Sequence, residues 1–293
     1  MKTKILLSAL LGGACLCLAG PTQAIVIAGD TNATSLANAL TAGSTGLTVI
    51  SSAVSVNTDS TSGAVSSGTF TNAAGTYGIG SGIVISSGNV LAYDTGPNNS
   101  TGTSTEYGGS GIGVSAAQQT ILGAITGQSE HFDATQLDIT FTTSTGEVFF
   151  NVVFGSEEWP EFVGAFQDGF GLLLDGINIA FVNGKPVNID HPDMKAVLGT
   201  ELDGILCPAP AAGGPCNPVL TFSATGLDTS AQHDLMFIIA DANDGALDTT
   251  AYIASLGGTA PPPVITVPEP ASLALLGIGL AGLGAMRRRR KAC

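Results

Sequence analysis

The chain has 293 residues, of which 44% are hydrophobic, 11% are charged and 40 are glycine. This composition is typical of an exported, β-rich protein with a substantial core, in one large domain or two smaller ones. Between residues 25 and 267 there are 22 acids and two cations, Lys185 and Lys195, which gives a formal net charge of 2 − 22 = −20. Nucleic acid is excluded as a partner because phosphate binding needs basic side chains, whereas divalent cations suit this charge.

The first 24 residues predict a secretory signal peptide. Lys2 and Lys4 precede an apolar run from Ile5 to Leu18, and small residues follow up to Ala24. This order is typical of a cleaved export signal. The mature chain is therefore expected to start at Ile25.

Two short helices and several strands are predicted next. One helix is expected within Thr31 to Ala42, capped by Asn32 or Thr34, and another from Ser115 to Thr126. Alternating β-forming residues predict strands at Leu47 to Val56 and Ser81 to Gly88. The polar, Gly-rich segment between residues 94 and 113 is expected to be a long surface loop, and such loops often carry function.

Residues 148–176 predict a strand, an acidic corner and a second strand. The corner holds Glu157, Glu158 and Glu161 together with the only tryptophan, Trp159. These carboxylates could form a solvated turn. We expect instead that Trp159, Phe162 and Phe166 pack around them, which makes ionised oxygens costly unless a cation or hydrogen-bond donors compensate.

The second half of the domain predicts a hairpin, a disulfide and further strands. Asn183-Gly184 between two apolar runs supplies the positive φ angles of a tight turn. Cys207 and Cys216 flank a Pro-rich loop, and in an oxidising compartment they are expected to form a disulfide. The last predicted strands are Leu220 to Ala224, Leu235 to Ala240 and Thr250 to Leu256.

An oxygen-rich loop follows one of these strands and suggests a calcium site. Calcium takes six to eight oxygen ligands, but the spacing and the missing final Glu exclude an EF-hand, and a simple turn is the alternative. If this loop meets the acidic corner, carboxylates from both would complete the shell. The candidate ligands are Asp241, Asn243, Asp244, Asp248, Glu157, Glu158 and Asp168.

Catalysis has weaker support in the sequence. Paired carboxylates such as Glu157 and Glu161 could act as acid and base in glycoside hydrolysis, in which Glu158 would also be a candidate. The three histidines, His131, His191 and His233, share no metal-ligand spacing, and there is no Gly-x-Ser-x-Gly motif. We therefore expect a non-catalytic protein, with a secreted carbohydrate-active enzyme as the alternative.

The last 26 residues combine three features. Pro268-Glu269-Pro270 precedes a Gly-rich apolar segment that reaches Met286, and a basic cluster from Arg287 to Lys291 follows. This arrangement resembles the PEP-CTERM sorting signal of Gram-negative bacteria. The resemblance implies a transient transmembrane helix and cleavage near the Pro-Glu-Pro motif by an exosortase, a membrane-embedded cysteine transpeptidase. A plain C-terminal anchor is the alternative.

Three motifs in the preceding domain resemble the choice-of-anchor L domain. They are Phe154 to Val163 followed by Asp168 to Gly171, then Asn178 to Ala180, then His233 to Asp241 with Asp244 and Asp248. The resemblance is strongest over residues 130–257, and Trp159 stands where the family usually has Tyr. It implies a secreted β-sandwich and says little about chemistry.

Together these features predict an antiparallel, jelly-roll-like β-sandwich with one or two short peripheral helices. The expected division is a signal peptide (1–24), the sandwich (25–258), a Pro-rich linker (259–267) and the sorting signal (268–293). The predicted function is that of an exported cell-surface or matrix protein, released by an exosortase, associated with exopolysaccharide or biofilm and stabilised by calcium.

Overall fold

The computed structural model describes residues 25–94, 102–210 and 213–259. The predicted signal peptide, the predicted linker beyond residue 259 and the sorting signal with its predicted transmembrane helix lie outside these ranges. Within them, no helix has the length and apolar character needed to cross a membrane.

The described chain is mainly β. Its helices are α1 (Ala33–Leu40) and α2 (Ala116–Thr126). Its strands are β1 (Val26–Gly29), β2 (Leu47–Ser55), β3 (Thr58–Asp59), β4 (Ala64–Val65), β5 (Ser67–Thr71), β6 (Gly82–Ser86), β7 (His131–Thr143), β8 (Glu147–Ser156), β9 (Gly169–Leu174), β10 (Ile177–Asn178), β11 (Phe181–Val182), β12 (Lys185–Asn188), β13 (Met194–Lys195), β14 (Gly204–Leu206), β15 (Leu220–Thr225), β16 (His233–Ala242) and β17 (Thr249–Gly257).

Two antiparallel sheets face each other across an apolar core. The first has the order β1-β5-β6-β17-β8-β14-β13, with β15 also on β8, and the second has the order β11-β12-β9-β16-β7-β2, with β10 on β9. Phe150 from the first sheet meets Phe237 from the second edge-on at 5.7 Å between ring centroids. Helix α2 packs Leu122 near Ile238 on the outer face of the second sheet, so β16 is buried on both faces. The prediction of an antiparallel sandwich is confirmed in this coarse form, while its jelly-roll character stays a prediction.

Local sequence signals are confirmed where they were strongest. Asn32 caps α1 by accepting a hydrogen bond from the backbone N–H of Ser35, and Ser115 forms a capping box with Gln118 at the start of α2. The hairpin between β11 and β12 turns at Asn183-Gly184, with φ values of 50° and 77°. Cys207 and Cys216 form the predicted disulfide.

Candidate functional site

Six carboxylates gather at one end of the sandwich. Because neighbouring strands are antiparallel, β6, β8 and β16 end where β7, β9 and β17 begin. We call this the acidic end. The six are Asp133 in β7, Glu157 and Glu158 after β8, Asp168 before β9, Asp241 in β16 and Asp248 before β17. Glu201 and Asp203 lie at the same end, just before β14.

All six side chains are buried. Four of them are in residues with 0% exposure, and Glu157 and Glu158 are 2% and 1% exposed. Within the described ranges, the ion pairs are His191 with Asp193 and His233 with Asp175, so none involves these six carboxylates. Burying charged carboxylates without a cationic partner is unfavourable.

Asp168 is well satisfied by hydrogen bonds. Its Oδ1 accepts a hydrogen bond from the backbone N–H of Ala242 at 2.9 Å, and its Oδ2 accepts one from the hydroxyl of Thr249 at 2.5 Å. These bonds tie the start of β9 to the end of β16 and the start of β17. Asp168 therefore holds the acidic end together.

The predicted long loop supplies further donors. Thr103 donates its backbone N–H to Glu157 Oε2 at 3.2 Å, and Thr105 donates to Asp248 Oδ1 at 2.8 Å. Asp133 accepts from the backbone N–H of Tyr107 at 3.2 Å and from a second loop amide, that of residue 112, at 2.6 Å. The backbone N–H groups of residues 103, 105 and 107 thus each donate a hydrogen bond to a different carboxylate.

Five buried carboxylate oxygens have no hydrogen-bond partner among the described residues. They are both oxygens of Asp241, Oε1 of Glu157, Oε2 of Glu158 and Oδ2 of Asp248. The hydroxyl of Ser87 lies near enough to lower the pKa of Asp241 slightly, yet it makes no hydrogen bond of normal geometry to either oxygen. It donates instead to the carbonyl oxygen of Thr249.

Burial raises the pKa of every one of these carboxyl groups. The pKa of Glu157 rises to about 8 through burial and then the nearby charge of Asp203, and that of Glu158 rises to about 9 through burial and then the charge of Asp168. The pKa of Asp248 rises to about 7, and those of Asp168 and Asp241 rise well above the usual range, in each case mainly through burial. At neutral pH the cluster must take up protons or be neutralised by a cation.

Three other residues singled out by the sequence differ from the buried carboxylates in their contacts or their exposure. The side-chain amide of Asn243 donates to Gln128 Oε1 and to the carbonyl oxygen of Ala165. Asp244 is half-buried and accepts a hydrogen bond from the backbone N–H of Ala246 at 3.2 Å, although its charge still raises the pKa of Glu158. Glu161 is exposed, so the prediction that it shares the buried corner with Glu157 and Glu158 is wrong.

The aromatic residues of the corner explain this difference. Trp159 is half-buried and lies against Gly204, where an added Cβ would come within 2.7 Å of it. Phe162 is 38% exposed and packs edge-on against Phe166 on the outside of the loop. The chain has therefore left the core before it reaches Glu161.

Asp133 was missed, although the sequence contains a signal for it. Residues 133, 135, 137, 139 and 141 alternate along β7, and all five are buried. An aspartate that continues a buried apolar face is an unusual residue at that position. Its φ of 51°, in the left-handed region, bends the strand where the loop amides meet it.

The oxygens do not form a ready coordination shell. Among the described residues, no three His, Cys, Asp or Glu side chains are arranged so that they could hold a metal ion as they stand. The acidic end thus has buried oxygen atoms without hydrogen-bond partners. Their side chains would have to rotate before these oxygens could surround one cation.

Two family models match the chain. The choice-of-anchor L domain matches residues 26–210, and the PEP-CTERM protein-sorting motif matches residues 266–290. The first match includes the Gly- and Ser-rich part before residue 130 and ends before the acidic loop 241–248. No curated protein and no solved structure matches the chain.

Proposed function

The chain belongs to the choice-of-anchor L domain family and carries a PEP-CTERM sorting motif, and we propose that it is a non-catalytic cell-surface or extracellular-matrix protein. The motif implies export, processing by an exosortase and a cell-surface or extracellular fate. The match at residues 266–290 carries the proposal. The matrix partner we propose is exopolysaccharide, within a biofilm.

Processing is tested by the intact mass of the protein recovered from its native host. Mature protein should lack the residues after about Pro270, and a strain without the exosortase should retain them in the membrane fraction. Retention of Met286 and the following arginines on the mature form would contradict processing. Localisation in the two strains then tests matrix association, since only processed protein should enter the exopolysaccharide fraction.

Burial of the acidic corner supports a non-catalytic function. Glycoside hydrolysis needs two carboxyl groups on either side of a bound sugar, whereas Glu157 and Glu158 are 2% and 1% exposed. Replacing both by Gln should change stability and leave polysaccharide turnover undetectable before and after. Turnover by the natural protein that the double variant abolishes would favour the alternative, a secreted carbohydrate-active enzyme.

Calcium stabilisation of the acidic end is part of the proposed function. The unpartnered oxygens of Asp241, Asp248, Glu157 and Glu158 are hard ligands of the kind that Ca²⁺ prefers. Bringing them onto one ion requires side-chain rotation from the arrangement described above. Asp168 then acts by positioning, because its own oxygens are already bonded.

Millimolar Ca²⁺ should raise the melting temperature of the mature protein, and chelator should reverse the rise. A ligand at a hundredfold excess over its dissociation constant stabilises the folded state by about 2.7 kcal/mol. Asp241→Asn should remove most of the rise, while Asp228→Asn, an exposed site, should keep it. A melting curve that Ca²⁺ and chelator both leave unchanged would contradict the proposal.

A further inference from the structure

The chain leaves the domain at the end opposite the carboxylates. Strand β17 starts at the acidic end and runs the length of the sandwich to Gly257. There the backbone N–H of Gly258 donates to the carbonyl oxygen of Thr45 at 2.8 Å, and Thr145 donates its hydroxyl to the carbonyl oxygen of Gly258 at 2.5 Å. The hydroxyls of Thr45 and Thr259 lie 2.9 Å apart. The segment through which the chain leaves the domain is therefore hydrogen-bonded to two loops.

We call this the tail end. It is formed by residues 43–46, 143–147, 225–231 and 257–259. The third of these segments joins the others because the backbone N–H of Leu227 donates to the carbonyl oxygen of Gly146 at 2.9 Å. These segments are Ser-, Thr- and Gly-rich, with Glu147 and Asp228 as their charged residues, and Asp175 and Asp234 lie beside them at the end of β9 and the start of β16.

Chain length limits how the domain can face the membrane. Eight residues lie between Thr259 and Pro268, so the nine Cα-to-Cα steps that join these two residues span at most about 30 Å. Strand β17 has nine residues, and at about 3.3 Å per residue it separates the two ends by a similar distance. To bring the acidic end to the cleavage motif, the linker would have to run back along the whole domain.

Surface chemistry favours the same orientation. Desolvating uncharged hydroxyl and amide groups costs less than desolvating charges, and residues 42–46 and 142–146 carry no charge. The acidic end exposes the charged side chains of Glu130 and Glu161. The two uncharged loops that hold the chain exit therefore meet an approaching protein surface at a lower cost than the loops that carry these two acids.

We propose that the tail end is the surface presented to the membrane-embedded protease that cuts the sorting signal. The acidic end then points away from the membrane and stays open to cations while the precursor is still anchored. This inference rests on the proposed function, because it requires cleavage by an exosortase.

Site-specific photo-cross-linking in the native host tests the orientation. A photo-activatable amino acid replaces Ser144 at the tail end or Ser129 at the acidic end, both exposed, in the full-length chain with a catalytically inactive exosortase. We expect several-fold more cross-link to the exosortase from position 144 than from 129. Position 229, also exposed at the tail end, provides a second probe should the variant at 144 fold poorly.

Equal or stronger cross-linking from position 129, or none from 144 and 229, would overturn the inference. The same variants with active exosortase are checked by intact mass. If the sorting signal is never removed, the proposed function fails. If it is removed while the cross-links come from position 129, only the orientation is wrong.

Discussion

The carboxylates at the two ends of the sandwich differ in exposure and in hydrogen-bond partners, although the same strands reach both ends. At the tail end, Asp175 follows β9, and its Oδ2 lies 2.8 Å from Nδ1 of His233 at the start of β16. The side chain of Asp175 is 46% exposed. At the acidic end, Asp168 and Asp241 border the same two strands with 0% exposure, and neither oxygen of Asp241 has a hydrogen-bond partner in the described part of the chain.

The difference shows that the number of acids does not define the candidate site. A carboxylate that is exposed or paired with histidine is stable on its own, whereas one that is buried and unpartnered destabilises the fold. Sites that break this rule are more often functional than structural. The acidic end has this property and the tail end does not.

The largest expected difference is in pH dependence without metal. Because folding raises the carboxyl pKa values, the native state binds more protons than the unfolded state between about pH 4.5 and 8. In excess chelator, the free energy of unfolding should therefore fall by about 3 kcal/mol or more from pH 5 to pH 8. Urea titrations measure this free energy of unfolding. A value that stays constant or rises with pH would contradict the burial of carboxylates without partners.

Two matched substitutions should separate the roles within the acidic end. Each carboxylate oxygen of Asp168 accepts a hydrogen bond, and in Asp168→Asn one of these oxygens becomes an NH2 group that cannot accept. In chelator the free energy of unfolding should therefore fall by about 2 kcal/mol. Asp241→Asn removes no hydrogen bond that the described residues make and takes away a buried, unpartnered charge, so in chelator at pH 8 it should not lower the free energy of unfolding. Urea unfolding of the two variants measures both, and equal losses would show that Asp241 is structural.

His233→Gln should give a smaller loss of stability than Asp168→Asn, and the loss should be confined to the tail end. The hydrogen bond to Asp175 raises the pKa of His233, so its added stability is present below about pH 6.5 and is lost as pH rises through the folded-state pKa. We expect a loss of about 1 kcal/mol at pH 5.5 and much less at pH 8.5. Unfolding with and without Ca²⁺ should give the same values, and a calcium-dependent loss would contradict the separation of the ends.

Much of the fold could be predicted because its signals are local. Asn32 and Ser115 cap helices by bonds to residues three positions away, and Asn183-Gly184 sets its own turn. The apolar patterns along β8 and β16 predicted strands. Both acidic segments come directly after strands, so the sequence allowed them to meet at one end, and the structure brings them together there.

The sequence by itself determined the charge, the sorting motif, the strand pattern and most of the candidate carboxylates, since composition and short-range periodicity carry that information. Only the tertiary structure decided which carboxylates are buried. Glu161 lies three residues from Glu158 and is exposed, because the chain turns outward at Trp159. The bond from Thr105 to Asp248 joins residues 143 positions apart. Burial and pairing of that kind depend on long-range packing, which no local pattern contains.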